Sequence, residues 1–385
     1  MKQINITYFT DMLPSIYNPT AGIFIYSRLK ILKQYKNINL SAVKLSNMFY
    51  NKKYLSAYNL KQFDYEDISI NVLNYFKYRH KGNFEFAADK LYKKYKKSKS
   101  NILHIHFAFP EGYIGYIVKK KYNINYILTV HGSDIHTIPF KNINYKKMVL
   151  KALNNAKIVI FVSKYLSEKA KEIGYKKGNY YIIPNGIDLD KFHIIKRDIA
   201  LENIDFKSNK IYIGYIGNLL KIKGVDKLPR IFNKISQAIN NICFVIIGNG
   251  SLKENIKKAL DSYNLLDKTI FIRCIPNSII PYYLNAFDIL LIPSRNEGLS
   301  SILLESLSCG TPVIASNVGG MPEILKNNIS GYLVDLNNNF IDNFSKQILI
   351  TISKNWNREK IRKSIENYDW QNVIKKEIKI YKEIL

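Results

Sequence analysis

Pro293-Ser294-Arg295-Asn296-Glu297-Gly298-Leu299-Ser300-Ser301-Ile302-Leu303-Leu304-Glu305 follows directly on the apolar run Ile289–Ile292. An unbroken apolar run bounded by proline reads as a parallel-sheet strand buried on both faces. Pro293 ends it, a polar loop carries Glu297, and a helix is expected to begin around Ser301. In open α/β sheets, ligands lie beyond the carboxyl ends of the strands, which is where this loop must sit. Gly298 permits close backbone approach. The free N–H groups of Leu299 to Ile302 then form an anion site at the helix N-terminus. Glu305, about one turn into the helix, is placed to accept hydrogen bonds from hydroxyls of the same ligand. Glu297 is expected on an exposed part of the loop.

The same alternation extends in both directions. Downstream of residue 188, strands are expected at Ile211–Ile216, Cys243–Ile247, Ile270–Ile272, Ile289–Ile292 and Val313–Ala315. Helices are expected near Val225–Ile239, Leu252–Tyr263, Ile279–Ala286, Ser301–Ser308 and Pro322–Leu325. Upstream, strands are expected at Ile4–Phe9, Ile68–Leu73, Ile102–Ile105, Tyr126–Val130 and Ile158–Val162, with helices at Gly22–Tyr35, Glu111–Lys121 and Lys164–Ile173. Two consecutive sets of this kind predict two Rossmann-like, doubly wound parallel-sheet domains. Pro184-Asn185-Gly186-Ile187-Asp188 is turn chemistry after a strand, so the domains are expected over 1–188 and 189–370. The tail carries one amphipathic stripe, Trp370, Val373, Ile374, Ile378, Tyr381 and Ile384, and is expected to be a helix over about 371–385.

Composition narrows the class. A length of 385 residues with 47% hydrophobic content suits two globular domains. No apolar run reaches the roughly 18 residues that span a bilayer, and the N-terminal stretch does not read as a signal peptide. A cytoplasmic protein is expected. Cys243, Cys274 and Cys309 lack metal-ligand or redox spacing and read as reduced thiols. The net charge of +28 is uneven: residues 1–188 carry 31 Lys+Arg against 11 Asp+Glu, or +20, and the remainder 27 against 19, or +8. The densest segment, Asp89-Lys90-Leu91-Tyr92-Lys93-Lys94-Tyr95-Lys96-Lys97, reads as a helix with Leu91, Tyr92 and Tyr95 on one face and lysines around them. Such a helix suits the headgroups of an anionic membrane, so peripheral attachment to the inner face of the cytoplasmic membrane is a further expectation. Scattered lysines without a nucleic-acid-binding motif argue against a nucleic-acid partner. No P-loop is present, and no dinucleotide fingerprint follows the first strand.

Two carboxylates flanking an anion site suit a molecule with phosphate in the middle and hydroxyls at both ends, which is the shape of a nucleotide-sugar. The Glu-x7-Glu pair Glu297/Glu305 is followed by Ser308-Cys309-Gly310-Thr311-Pro312-Val313 and by Gly319-Gly320-Met321-Pro322-Glu323. Together these runs resemble the retaining glycosyltransferases of group 1, family 4, which have the GT-B fold. The resemblance spans nearly the whole chain: Thr129-Val130-His131-Gly132-Ser133-Asp134 resembles the first domain's active-site loop, and Ile216-Gly217-Asn218-Leu219 with Lys223-Gly224 the phosphate-gripping turn. Pro184 to Asp188 with Phe192 resembles the interdomain segment, Gly248-Asn249-Gly250 the family's Gly-x-Gly turn, and the Trp370 helix one that crosses back to the first domain.

The resemblance implies catalytic roles for His131 and Glu297. It implies donor binding by Gly22, Asn218, Lys223, Gly298, Leu299, Ser300, Ser301 and Glu305, with acceptors held by the first domain. Glu297 would meet the sugar hydroxyls, Glu305 the ribose, and Lys223 the diphosphate, with no metal and no other cofactor. A UDP- or GDP-linked donor and a saccharide or lipid-linked acceptor follow, in bacterial surface-polysaccharide synthesis. A nucleotide-sugar 2-epimerase on the same fold is the alternative, with Asp11, Glu111 and Asp134 as its main candidate acids and bases. Three positions depart from the family pattern: Asn218 stands where an arginine is usual, Ala21 precedes Gly22 where a second glycine is usual, and Arg273, expected to face solvent, follows Phe271-Ile272.

Weaker signals complete the reading. Asp188-Leu189-Asp190 matches an Asp-x-Asp metal signature but lies in the interdomain segment. In His104-Ile105-His106 the two imidazoles are expected on opposite faces of a strand, unable to share an ion. His106, at the strand's carboxyl end, is an acceptor-side candidate together with Asp134, which would either orient a histidine or meet the acceptor.

Overall fold

The computed structural model describes residues 3–14, 21–47, 61–75, 77–78 and 81–385. The chain divides into two compact units: residues 1–186 with 370–385, and residues 187–369.

The first unit is built on the strands β1 (Ile4–Thr10), β2 (Ile38–Asn47), β3 (Gln62–Tyr65), β4 (Ile68–Tyr75), β5 (Ile102–His106), β6 (Ile127–Val130), β7 (Ile158–Phe161) and β8 (Tyr180–Ile182). They form one sheet in the order β8-β7-β6-β5-β1-β2-β4-β3. All pairings are parallel except the antiparallel edge pair β3–β4. Every residue of β5, β6 and β7 is buried, which explains why they are apolar apart from His104, His106 and Thr129.

The second unit has β9 (Ile211–Ile216), β10 (Ile242–Ile247), β11 (Thr269–Ile272), β12 (Ile289–Ile292), β13 (Val313–Ser316) and β14 (Gly331–Val334). All are parallel, in the order β11-β10-β9-β12-β13-β14. Renumbered within the unit this is 3-2-1-4-5-6, the dinucleotide-domain order, and the direction of strand addition reverses between β9 and β12.

The helices include α1 (Ile23–Lys33), α2 (Phe84–Lys97) and α4 (Trp370–Ile384) of the first unit and α3 (Ser301–Ser308) of the second. The expected membrane-facing stripe of α2 is used inside the protein. Leu91 and Tyr95 are buried, and Tyr92 stacks on Tyr122 with ring centroids 3.8 Å apart. What α2 leaves outside is mostly charge, with Lys90, Lys93, Lys96 and Lys97 exposed beside one aromatic, Phe86. Among the described residues no helix is long and apolar enough to cross a membrane.

The tail helix α4 belongs to the first unit, and its apolar stripe from Trp370 to Tyr381 is buried there. A buried charge pair fixes it: Arg28 on α1 lies 3.2 Å from Glu377, with both side chains almost wholly enclosed. Burial alone would raise the pKa of Glu377. The Arg28 charge and hydrogen bonds from His104 and Tyr381 outweigh it and hold the carboxyl well below the usual range. Tyr8 also donates to Glu377, at 2.5 Å. Arg28→Ala would leave that carboxylate uncompensated and is expected to cost about 3–5 kcal/mol of stability. The double substitution Arg28→Met/Glu377→Leu removes both charges and is expected to cost far less. Urea unfolding separates the two cases, and equal losses would contradict the uncompensated-charge argument.

Candidate active site

Strand order in the second unit decides what meets what. β9 and β12 are adjacent, so the loops leaving their carboxyl ends face one another across the reversal point. The loop after β9 carries Lys223 in a short 3-10 turn, Lys221–Lys223. The loop after β12 carries Glu297. The Lys223 ammonium lies 2.6 Å from Glu297 Oε1, which also accepts the Ser294 hydroxyl at 2.8 Å. Glu297 is thus buried, 7% exposed, and not on an open loop as expected: its two partners replace the water it gives up.

The glycines around this point are required by contact. Gly224 has φ +69°, and a Cβ there would fall 1.8 Å from the Pro293 carbonyl oxygen. Gly319, in the Gly-Gly turn, has φ +60°, and its Cβ would fall 1.8 Å from the Glu297 carbonyl oxygen. The Glu297 loop is therefore held backbone-to-backbone from both sides, at positions only glycine fills without strain. Arg295 adds a third tie. It donates to both Asp226 carboxylate oxygens at 2.6 Å, and its own N–H bonds the Ile222 carbonyl at 2.8 Å. Neither Ser294 nor the Arg295–Asp226 pair stands out in sequence, because a polar residue three positions from a glutamate and a distant aspartate carry no spacing signature.

Gly298, Leu299 and Ser300 are buried, and Ser301 is half-buried, at the start of α3. Ser300, the residue before the helix, makes no side-chain capping bond, so the first-turn N–H groups stay available to an anion. At the other end, Arg362 and Arg358 donate to the carbonyls of Ser308 and Cys309, where cations are favoured. Glu305 is half-buried. Desolvation pushes its pKa up to about 7, against the opposing pull of Lys191. Asn218 is exposed at the end of β9, its carbonyl accepting the Tyr215 hydroxyl at 2.8 Å. Arg273 is exposed. In the Asp188-Leu189-Asp190 run, Asp188 accepts the Lys191 N–H at 2.9 Å, a turn contact.

The remaining candidate residues lie in the first unit. Gly22 is buried at the head of α1, its carbonyl accepting the N–H groups of Ile25 and Tyr26. His131 follows β6. His106 ends β5 and lies 2.8 Å from it, His106 Nδ1 to His131 Nε2. Two readings need correction. His104 and His106, two residues apart on one strand, share a face, with ring centroids 4.6 Å apart. His106 and Asp134 are fully buried and held by protein groups, so neither presents a free face to an acceptor. Asp134 instead organises the loop, accepting the N–H groups of Ala108 at 2.9 Å, Gly132 at 2.8 Å and His131 at 3.2 Å. Burial raises its pKa although those three bonds oppose the shift. Phe107, a non-glycine residue at φ +70°, turns the chain after β5 so that its ring packs 4.7 Å from His131. Such strained backbone concentrates at functional loops.

Comparisons with known proteins identify the family. Residues 196–368 match the family model "Glycosyl transferases group 1", and residues 55–191 match "Glycosyltransferase Family 4". The chain is 26% identical to an uncharacterized glycosyltransferase of Methanocaldococcus jannaschii, over 97% of this chain and 98% of the relative. It is 32% identical to the UDP-Gal:alpha-D-GlcNAc-diphosphoundecaprenol alpha-1,3-galactosyltransferase of Escherichia coli, over 66% of this chain and 67% of the relative. Among solved structures, the sucrose-phosphate synthase of Thermosynechococcus elongatus superposes with a TM-score of 0.81 at 17% identity, covering 99% of both chains, and shares the GT-B fold of two parallel-sheet α/β domains. By its sequence, the chain belongs to the group 1, family 4 glycosyltransferases and is a sugar-transferring enzyme.

Proposed function

We propose that the protein takes a sugar from a UDP- or GDP-linked donor and passes it, with retained stereochemistry and without a metal, to a saccharide or lipid-linked acceptor in surface-polysaccharide synthesis. The observation that carries this reading is the Lys223–Glu297 contact at the strand-reversal point, beside an uncapped helix N-terminus. Cleavage of the sugar–phosphate bond builds negative charge on the leaving diphosphate. Fixed positive groups aimed at that charge lower the barrier without reorganising. Lys223 and the N–H groups of Gly298 to Ser301 supply them, with Asn218 adding an uncharged donor. Glu297 takes the sugar hydroxyls, Glu305 the ribose hydroxyls, and His131 the sugar and the phosphate side of the breaking bond. Gly22 is assigned to backbone contact with the same donor.

In the free protein Lys223 is engaged by Glu297, so donor binding exchanges partners: the diphosphate takes the ammonium and sugar hydroxyls take the carboxylate. The galactosyltransferase of Escherichia coli, whose name specifies UDP-Gal and a diphosphoundecaprenol-linked acceptor, supports the donor and acceptor classes. Exposed lysines on α2, with the exposed Phe86 beside Lys90, would draw the protein to an anionic bilayer carrying such an acceptor. A cytoplasmic site at the inner membrane face fits this. A 2-epimerase remains the second reading, favoured by one feature. Glu111 is buried at the carboxyl edge of the first unit, takes the Asp11 N–H at 2.8 Å, and has its pKa raised by burial and then by the Asp11 charge. Incubating a UDP- and GDP-sugar panel without acceptor distinguishes them, because an epimerase converts free donor.

Glu297→Gln should lower kcat by about 10²–10³ in protein that remains folded by circular dichroism. Near-normal turnover would remove Glu297 from the mechanism. Lys223→Ala should weaken binding of the productive nucleotide-sugar by about 1–3 kcal/mol in calorimetric titration, and unchanged affinity would refute the diphosphate assignment. The third test is pH. Ribose hydroxyls donate to an ionised Glu305, so binding favours the deprotonated form. Affinity should be full above about 7 and fall as the pH drops below it. Glu305→Gln should flatten that profile, and a profile unchanged by the substitution would contradict the ribose contact.

A further inference from the structure

The His106–His131 contact constrains where the ring hydrogens sit. Since Nδ1 of one ring meets Nε2 of the other at 2.8 Å, one must donate and the other accept. The remaining nitrogens, His106 Nε2 and His131 Nδ1, are buried with no partner among the described residues. Burial first, and then neighbouring positive charge, holds both rings neutral at physiological pH. A neutral pair has two arrangements. In the first, His106 donates from Nδ1, and His131 carries its own hydrogen on Nδ1. In the second, His131 donates from Nε2, and the unpaired N–H falls on His106 Nε2.

The two arrangements differ in where they leave an unsatisfied N–H, the costlier kind of orphan. His106 is wholly enclosed, its ring stacked on Tyr8 at 4.9 Å and on His104 at 4.6 Å. A ligand cannot reach its Nε2 without opening the sheet's core. His131 is only half-buried, at the carboxyl edge of β6, flanked by Phe24 at 5.0 Å and Phe107 at 4.7 Å. Its Nδ1 is itself covered, but at this edge an incoming oxygen needs only a half-buried side chain such as Phe24 or Phe107 to shift, not the sheet's core, to meet the N–H.

We infer that His106 is a positioning residue: it donates to His131 Nε2 and thereby fixes His131 as the Nδ1–H tautomer, which presents a neutral N–H donor to an oxygen of the bound nucleotide-sugar. The His106–His131 contact belongs to the first unit alone, whereas the choice of tautomer and the use of that N–H rest on the proposed role of His131 at the nucleotide-sugar. Phe24 and Phe107 beside the ring exclude water, which would otherwise compete for the same hydrogen. His106 touches no substrate in this scheme and acts only through His131.

The test uses the full-length protein with isotope-labelled histidine and NMR correlation spectra that distinguish protonated from bare ring nitrogens. His131 should show a protonated Nδ1 and a bare Nε2 at neutral pH. An Nε2–H tautomer, or an imidazolium, overturns the inference without any substitution being made. The kinetic arm measures turnover of UDP-glucose or GDP-mannose, whichever the protein consumes. His106→Phe keeps the stacking but loses the donor, and should cut kcat on the order of tenfold, the worth of one hydrogen bond. His106→Asn, whose amide nitrogen replaces Nδ1, should restore most of it. His106→Phe/His131→Ala should be no slower than His131→Ala. Additive losses in the double variant, or no recovery with Asn, overturn the positioning role. A His131→Ala enzyme as fast as wild type would instead sink the assignment of His131 to the reaction, while the spectra still report the tautomer.

Discussion

Between β9 and β12 the chain reverses the direction in which it adds strands, and this topological fact brings Lys223 and Glu297 within 2.6 Å of each other. The residues are 74 positions apart, so no local preference could pair them. Their contact exists because two parallel strands with unrelated sequence neighbours end side by side. Everything else in the second unit supports that point. Gly224 and Gly319 let flanking backbones touch the Glu297 loop, and Arg295 ties the loop to Asp226 beside the Lys223 turn. Ser300 leaves the head of α3 uncapped. The result is a carboxylate, an ammonium and a set of free N–H groups fixed before any ligand arrives, which is the condition for strong electrostatic stabilisation.

The first unit handles polarity differently. Its buried Arg28 and Glu377 charges face each other, Tyr8 and Tyr381 donate to Glu377, and the arrangement locks α4 onto α1. His106 and His131 are kept neutral by burial, so at the carboxyl edge of its sheet they offer hydrogen bonds and no charge. Asp134 is spent on three backbone N–H groups of its own loop. The positive charge that dominates the N-terminal half lies on surfaces such as the outer face of α2.

Much of this was legible in the amino-acid order. Ile211–Ile216 and Ile289–Ile292 have the expected bounds, because parallel strands buried on both faces leave an unbroken apolar run. Ser301–Ser308 and Lys164–Ile173 also match, each marked by a polar residue at its start. What escaped has physical reasons. The ten-residue β2 mixes serine, lysine and asparagine with its apolar residues, and its burial changes phase at Ala42-Val43, so neither a continuous run nor a clean alternation marks it. The helix Phe340–Ser353 and the short edge strand Gly331–Val334 lie beyond the motif-bearing segments. At the site, Glu297 and Lys223 were readable from motif and spacing. The burial of Glu297, the role of Ser294 and the Arg295–Asp226 tie were not, since each depends on a partner supplied by tertiary packing. His104 and His106 show the opposite failure: the period of two along a strand already places them on one face.

The most direct measurement is a crystal structure of the protein with a slowly turned-over nucleotide-sugar bound. The account predicts that the Lys223 ammonium leaves Glu297 for a diphosphate oxygen, that Glu297 turns to a hydroxyl of the transferred sugar, and that Glu305 meets the ribose. A donor bound with the Lys223–Glu297 contact intact, and its diphosphate away from the head of α3, would contradict it.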